Sequence, residues 1–95
     1  MRLLGGRLKG KMIMPPAGYA ARPTTDFAKE GLFNTLANEI DFEEVSLLDL
    51  FSGTGSISYE FASRGCRDIV SVEMNPANAS FIKKTAATFN LEGMQ

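Results

Sequence analysis

The densest chemical signal in the 95 residues is the run Leu47-Leu-Asp-Leu-Phe-Ser-Gly-Thr-Gly-Ser56, followed by a carboxylate, Glu73, eighteen positions after Gly55. An apolar run that breaks into Ser-Gly-Thr-Gly reads as a strand ending in a tight loop. Gly53 and Gly55 then lie at the carboxyl edge of a sheet, where backbone without a Cβ approaches a ligand and open α/β folds bind nucleotides. An acidic residue roughly 20 positions further on is placed to meet ribose hydroxyls. Together these residues describe an adenosine-type site. The dinucleotide fingerprint G-x-G-x-x-G, begun at Gly53, needs glycine where this chain has Ser58, and the P-loop pattern is absent, which weakens NAD and ATP as ligands. Asp49 faces the same loop, where a carboxylate repels a pyrophosphate and attracts a cation. S-adenosylmethionine, with its α-ammonium and sulfonium, satisfies that demand and needs no phosphate pocket.

Other chemistries are poorly supplied. The chain has no histidine and one cysteine, Cys66, so zinc, haem and Ser-His-Asp sites lose their commonest ligand or base and no internal disulfide can form. No metal is expected. The lack of a long apolar run and of a leader-like start points to a reduced, cytoplasmic setting without a membrane span. The formal charge of -1 is unevenly spread. Residues 1–25 carry Arg2, Arg7, Lys9, Lys11 and Arg22 with no acid, while residues 26–95 carry five basic and all eleven acidic side chains. The chain is a basic arm on an acidic body. Such an arm can meet phosphates or can be an ordinary solvated hairpin, and charge alone leaves both open.

The elements that must hold these residues follow from periodicity and caps. Residues 1–14, with Gly5, Gly6 and Gly10 between two apolar-rich runs, predict a β-hairpin, and residues 15–25 a linker. Phe27, Ala28, Leu32, Phe33, Leu36, Ala37 and Ile40 recur at helical spacing, predicting a helix from Asp26 to about Ile40 capped by Thr24 or Thr25. A buried strand over 45–51, a helix over 56–64 stopped by Gly65, a strand over 68–73 and a helix to about Asn90 complete the order. Asn75-Pro76 gives the last helix its N-cap and its proline at the first helical position. Phe27, Phe33, Ile57, Phe61, Ile82 and Phe89 are the expected core, and Lys83 and Lys84 a solvated face. Strand-helix-strand implies a parallel pair with a right-handed crossover in an α/β sheet. Because two parallel strands are too few for such a sheet, 26–95 are expected to be the first part of a larger domain, open-edged and prone to self-association.

Asp-Leu-Phe-Ser-Gly-Thr-Gly over 49–55 resembles motif I of class I S-adenosylmethionine-dependent methyltransferases, with Phe51 in place of the first glycine. With Arg22-Pro-Thr-Thr-Asp26, Lys29-Glu-Gly-Leu-Phe-Asn34 and the opening hairpin, the chain resembles the RsmD-type family of bacterial small-subunit ribosomal RNA guanine-N2 methyltransferases over essentially its whole length. The resemblance implies a Rossmann-like fold with an N-terminal hairpin extension. It implies that Asp49 and the backbone of Phe51, Ser52, Gly53, Thr54 and Gly55 hold the methionine part of the cofactor, that Glu73 accepts from the ribose, and that Met74 lies beside the adenine. Arg22, Thr24, Thr25 and Asn34 would sit near the cofactor or substrate entrance. Arg2, Arg7, Lys9 and Lys11 would contact ribosomal RNA or the small-subunit particle.

Enzymes that methylate exocyclic amines of bases carry an N/D-P-P-Y/F segment that clamps the amine and stacks the base. No such tetrapeptide occurs here. Asn75-Pro-Ala-Asn78 follows the ribose-binding strand and lacks the second proline and the aromatic, so it reads as a helix cap. No residue of this stretch is therefore assigned a catalytic role, and on its own it is expected to be inactive. A DNA or small-molecule methyltransferase sharing motif I and a non-catalytic nucleotide-binding module remain the alternatives.

Overall fold

The computed structural model describes residues 1–15, 25–91 and 93–95. Helix α1 spans Asp26–Ala37, strand β1 Ser46–Leu50, helix α2 Ser56–Ser63, strand β2 Asp68–Val72 and helix α3 Pro76–Thr88. Thr25 caps α1, its hydroxyl accepting the Ala28 N–H at 3.2 Å. Asn75 caps α3 by accepting from the Ala77 and Asn78 amides, with Pro76 at the first position. Gly65, at φ 108°, ends α2 in the left-handed region that a side chain would disfavour.

Strands β1 and β2 run parallel with Ser46 opposite Asp68 and Leu50 opposite Val72, joined through α2. On the far side of β2 the last residues begin a third parallel pairing. Ile69 N–H donates to Gly93 O at 2.9 Å and Gln95 N–H to Ile69 O at 2.8 Å, leaving the outer edge of β1 open among the described residues.

The expected hairpin is present: its arms pair antiparallel about Arg2 and Met12, with Leu3 N–H donating to Lys11 O at 3.0 Å, Ile13 N–H to Met1 O at 2.8 Å and the Met1 ammonium to Ile13 O at 3.0 Å, and the glycine-rich stretch between closes through tight turns such as Lys9 N–H to Gly6 O. Two expectations are corrected. Strand β1 is not buried on both faces. Leu47 and Asp49 face α2, whereas Leu48 and Leu50, with Val70 and Val72 beside them, form an apolar face that no described element covers. Finally, Phe27 does not enter the core, being 88% exposed. Helix α1, which ends at Ala37 rather than about Ile40, meets the body along a narrow edge made by Lys29, Phe33 and Leu36, continued by Ile40 after the helix, which turns Phe27 and Leu32 outward.

Two apolar clusters hold the molecule. Phe33, Phe42 and Phe61 pack ring to ring at 5.2 to 5.9 Å with Cys66 and Ile69 beneath them. Leu3, Leu8 and Ile13 of the N-terminal segment pack with Tyr59, Ile82 and Leu91. Residues 1–15 thus dock on α2 and α3, and the dock is polar at its centre. Glu60, fully buried on α2, accepts the Leu4 and Gly5 amides at 2.9 and 3.0 Å and pairs with Lys29 at 3.2 Å and Arg64 at 2.9 Å. Lys29 Nζ donates onward to Arg2 O, and the Arg64 guanidinium lies 4.8 Å from the Phe33 ring centre. Nothing in the sequence pattern announced this buried pair, although Lys29 stands four residues before Phe33, inside the inward edge of α1.

Candidate functional site

The loop between β1 and α2 is built by its own backbone. Ser52 N–H donates to Val72 O and Gly55 N–H to Ser52 O, both at 2.9 Å, while Ser52 Oγ donates to Asp49 O at 2.7 Å. Phe51 carries φ 58°. A side chain in the left-handed region costs about 1–2 kcal/mol, which is the physical reason a glycine suits that position, and here it leaves the ring 84% exposed over the loop. Gly55 cannot be replaced so simply. Its φ is 92°, and a Cβ there would stand 2.6 Å from Tyr59 Cζ, because the Tyr59 ring underlies the turn. Burial pushes the Tyr59 hydroxyl up to about 12, with the Thr85 hydroxyl pulling it the other way, so the ring supports the loop as a neutral phenol.

Two carboxylates converge on this loop from the ends of neighbouring strands. Glu73 Oε1 accepts from Gly53 N–H at 3.0 Å, and Oε2 accepts from Asn75 N–H at 3.1 Å and Asn78 Nδ2 at 3.2 Å. The Asn78 amide foremost, then the Gly53 and Asn75 amides, holds the Glu73 carboxyl below the ordinary carboxylate value despite a smaller opposing effect of burial. Asp49 Oδ2 accepts from Ser58 Oγ at 2.6 Å, and no other donor among the described residues reaches it. Met74 stands beside Glu73, 87% exposed.

Asn78 and Ser58, which hold the two carboxylates of this candidate site, were not singled out for it by sequence reasoning. Asn78 is buried one turn into α3, directly behind Glu73, and its donor atom is fixed toward the carboxylate because the reverse amide orientation would oppose two acceptors. The signal was present as an inward polar side chain in the first turn after the acidic residue. Ser58 was noticed only as a missing glycine.

The head of α2 has unmet polar demand. Gly55 offers no side-chain cap to the first turn, and the Thr54 and Ser56 hydroxyls are buried without a hydrogen-bond partner. Free first-turn amides with the positive end of a helix accommodate a carboxylate.

The other expected residues fall elsewhere. Thr25 is the cap of α1, and Asn34 lines a cleft of about 420 Å³ together with Arg2, Lys9 and Arg64, beside the N-terminal segment rather than at the two carboxylates. Arg22 and Thr24 lie outside the described residues. Arg7, Lys9 and Lys11 are exposed, while Arg2 is engaged with Asp26 at 3.4 Å. Among the described residues no helix is long and apolar enough to cross a membrane.

Parallel strands, a glycine loop opening a helix, and a carboxylate from the next strand tied to that loop define a small α/β module of the class that binds ligands at the carboxyl ends of its strands. The model of the family described as Conserved hypothetical protein 95 matches residues 1–95, and the chain belongs to that family. It is similar to ribosomal RNA small subunit methyltransferase D of Escherichia coli strain K12, at 35% identity over 88 residues covering 93% of this chain and 43% of that protein. YlbH of Bacillus subtilis strain 168 is 34% identical over 91 residues, covering 96% of this chain and 48% of that protein. Among solved structures, yhhF of Escherichia coli superposes with a TM-score of 0.86 at 29% identity, covering 100% of this chain and 50% of that one. The chain spans about half the length of the curated relatives it matches.

Proposed function

We propose that the protein is a cytoplasmic S-adenosylmethionine-dependent methyltransferase of ribosomal RNA, acting on the exocyclic amine of a guanine in the small subunit. In this reading residues 26–95 are the cofactor-holding part of a Rossmann-like class I fold, and residues 1–25 are its RNA-facing extension. The observation that carries the proposal is the bond from Gly53 N–H to Glu73, which unites the glycine loop and the second carboxylate in one site. The names of the curated relatives support small-subunit ribosomal RNA as the substrate class.

The residues present fit the cofactor. Asp49 keeps acceptor capacity for an ammonium, the uncapped head of α2 with the buried Thr54 and Ser56 hydroxyls suits the amino-acid carboxylate, and Glu73 Oε1 retains a lone pair for a ribose hydroxyl. Exposed Phe51 and Met74 flank the loop as apolar surfaces for the adenine. When bound, S-adenosylmethionine supplies an electrophilic methyl on a sulfonium, suited to direct in-line transfer to an amine. The chain's own contribution is alignment and charge. The target base has to be unstacked to reach the loop, and Arg7, Lys9 and Lys11 position the RNA backbone without reading its sequence. The amine clamp is not among these 95 residues, and the open edge of β1 together with the uncovered sheet face of Leu48, Leu50, Val70 and Val72 makes this stretch prone to pair with a second copy.

The 95 residues alone are expected to bind cofactor without transfer, so the proposal is tested by incubating a polypeptide that carries them together with an N/D-P-P-Y/F segment with methyl-labelled S-adenosylmethionine and small-subunit particles. Nuclease digestion is expected to release label as N2-methylguanosine. Label appearing in DNA or in another nucleoside would contradict the substrate, and cofactor binding with no transfer to any acceptor would favour the non-catalytic module.

A further inference from the structure

Ser58 occupies the position where a dinucleotide fingerprint carries its third glycine, the residue that lets the helix approach the strand closely. Here the side chain is fully buried between α2 and the sheet. Its Oγ lies 2.6 Å from Asp49 Oδ2 and 2.7 Å from Ser71 Oγ. Asp49 and Ser71 are direct partners in the register of β1 and β2, so three elements meet at this hydroxyl. An ionised carboxylate only accepts, and a serine has one proton to give. Ser58 therefore donates to Asp49, and Ser71 donates to Ser58, a chain polarised toward the carboxylate.

The geometry of the chain leaves Asp49 with one oxygen tied inward and the other free. Asp49 Oδ1 has no donor among the described residues, while Oδ2 is held at charge-assisted distance. A carboxylate on a strand end with nothing behind it would sample several rotamers. Fixed through Oδ2, it presents Oδ1 in one direction.

Resting on the proposed cofactor site, we infer that Ser58 is a positioning residue that, with Ser71, orients Asp49 toward the ammonium of an amino-acid-bearing adenosyl ligand, and so makes the site select such ligands over plain adenosyl thioethers. A glycine at this position would permit the same helix approach and supply no such orientation. The selectivity of the loop for an amino-acid tail therefore lies in this interior serine as well as in the carboxylate itself.

The test compares two probes on each protein by calorimetry: S-adenosylhomocysteine, which carries the ammonium, and 5′-methylthioadenosine, which lacks the amino-acid tail. Ser58→Ala is expected to weaken S-adenosylhomocysteine about tenfold while changing 5′-methylthioadenosine less than about twofold, and Ser71→Ala to weaken the former about threefold. Because the ratio of the two affinities is taken on one sample, loss of folded material cancels. A ratio unchanged in both variants would show that the serines only fill space, and would overturn the inference while leaving the site intact. A wild-type protein that bound neither probe would overturn the cofactor reading and this inference with it.

Discussion

Glu60 and Glu73 are two carboxylates that each gather main-chain amides, and they do opposite things. Glu60, on the inward side of α2, has an amide and a cation at each oxygen: Leu4 N–H and the Lys29 ammonium at Oε1, Gly5 N–H and the Arg64 guanidinium at Oε2. A carboxylate offers about four acceptor positions, so Glu60 is saturated and sealed from solvent. Glu73 has three donors and Asp49 one, and both stand at the rim of a loop with exposed Phe51 and Met74 beside it. Presence of a buried acid is therefore a poor guide to function. What distinguishes the two regions is spare acceptor capacity facing solvent, which the loop keeps and the dock has used up.

The largest effect is expected from breaking the saturated region. Glu60→Ala strands the Lys29 ammonium and leaves the Leu4 and Gly5 amides without acceptors, and loss of one partner from a buried ion cluster costs about 3–5 kcal/mol. Urea denaturation should show that loss together with early exposure of residues 1–15. A variant as stable as the parent would mean that the dock is held by Leu3, Leu8 and Ile13 alone.

A smaller effect sharpens the other side of the comparison. The Glu73 carboxyl titrates below its ordinary value in the folded protein, so its contribution to stability is complete above the unfolded carboxylate range and is lost as pH falls through the folded value. Asn78→Ala removes the foremost cause, and an NMR titration of the Glu73 side-chain carbon should show its midpoint move up toward the ordinary value. An unmoved midpoint would place the cause in the Gly53 and Asn75 amides instead. The smallest effect belongs to the surface: Lys9→Ala and Lys11→Ala should each lower the slope of log affinity for RNA against log salt by about one, with Arg2→Ala giving less because Asp26 already engages it.

The legible parts of the molecule were those whose cause is local. Thr25, Asn75-Pro76 and Gly65 marked helix ends because capping is decided within a few residues of chain. The glycine loop and Glu73 were legible because their spacing is set by one strand-helix-strand unit. Contacts between distant elements were not. Lys29, Glu60 and Arg2 come together from three segments, and each alone reads as a surface charge. Phe27, Leu48 and Leu50 looked like core because apolar spacing says which face wants cover, and cannot say whether cover is present. The opening hairpin was legible in its glycines, but the cluster that its apolar residues form with Tyr59 and Ile82 was not, because those partners lie far along the chain. Ser58 and Asn78 escaped because their partners are the very carboxylates that drew attention away from them.

The most direct test of the contrast is amide hydrogen exchange with and without saturating S-adenosylhomocysteine. Ligand is expected to slow exchange at the loop amides from Ser52 to Ser58 and at Asn75, while Leu4 and Gly5, already committed to Glu60, keep their rates. Protection confined to the amides at Glu60, or no change at the loop in a protein that binds the ligand, would contradict the assignment of the spare-capacity carboxylates as the site.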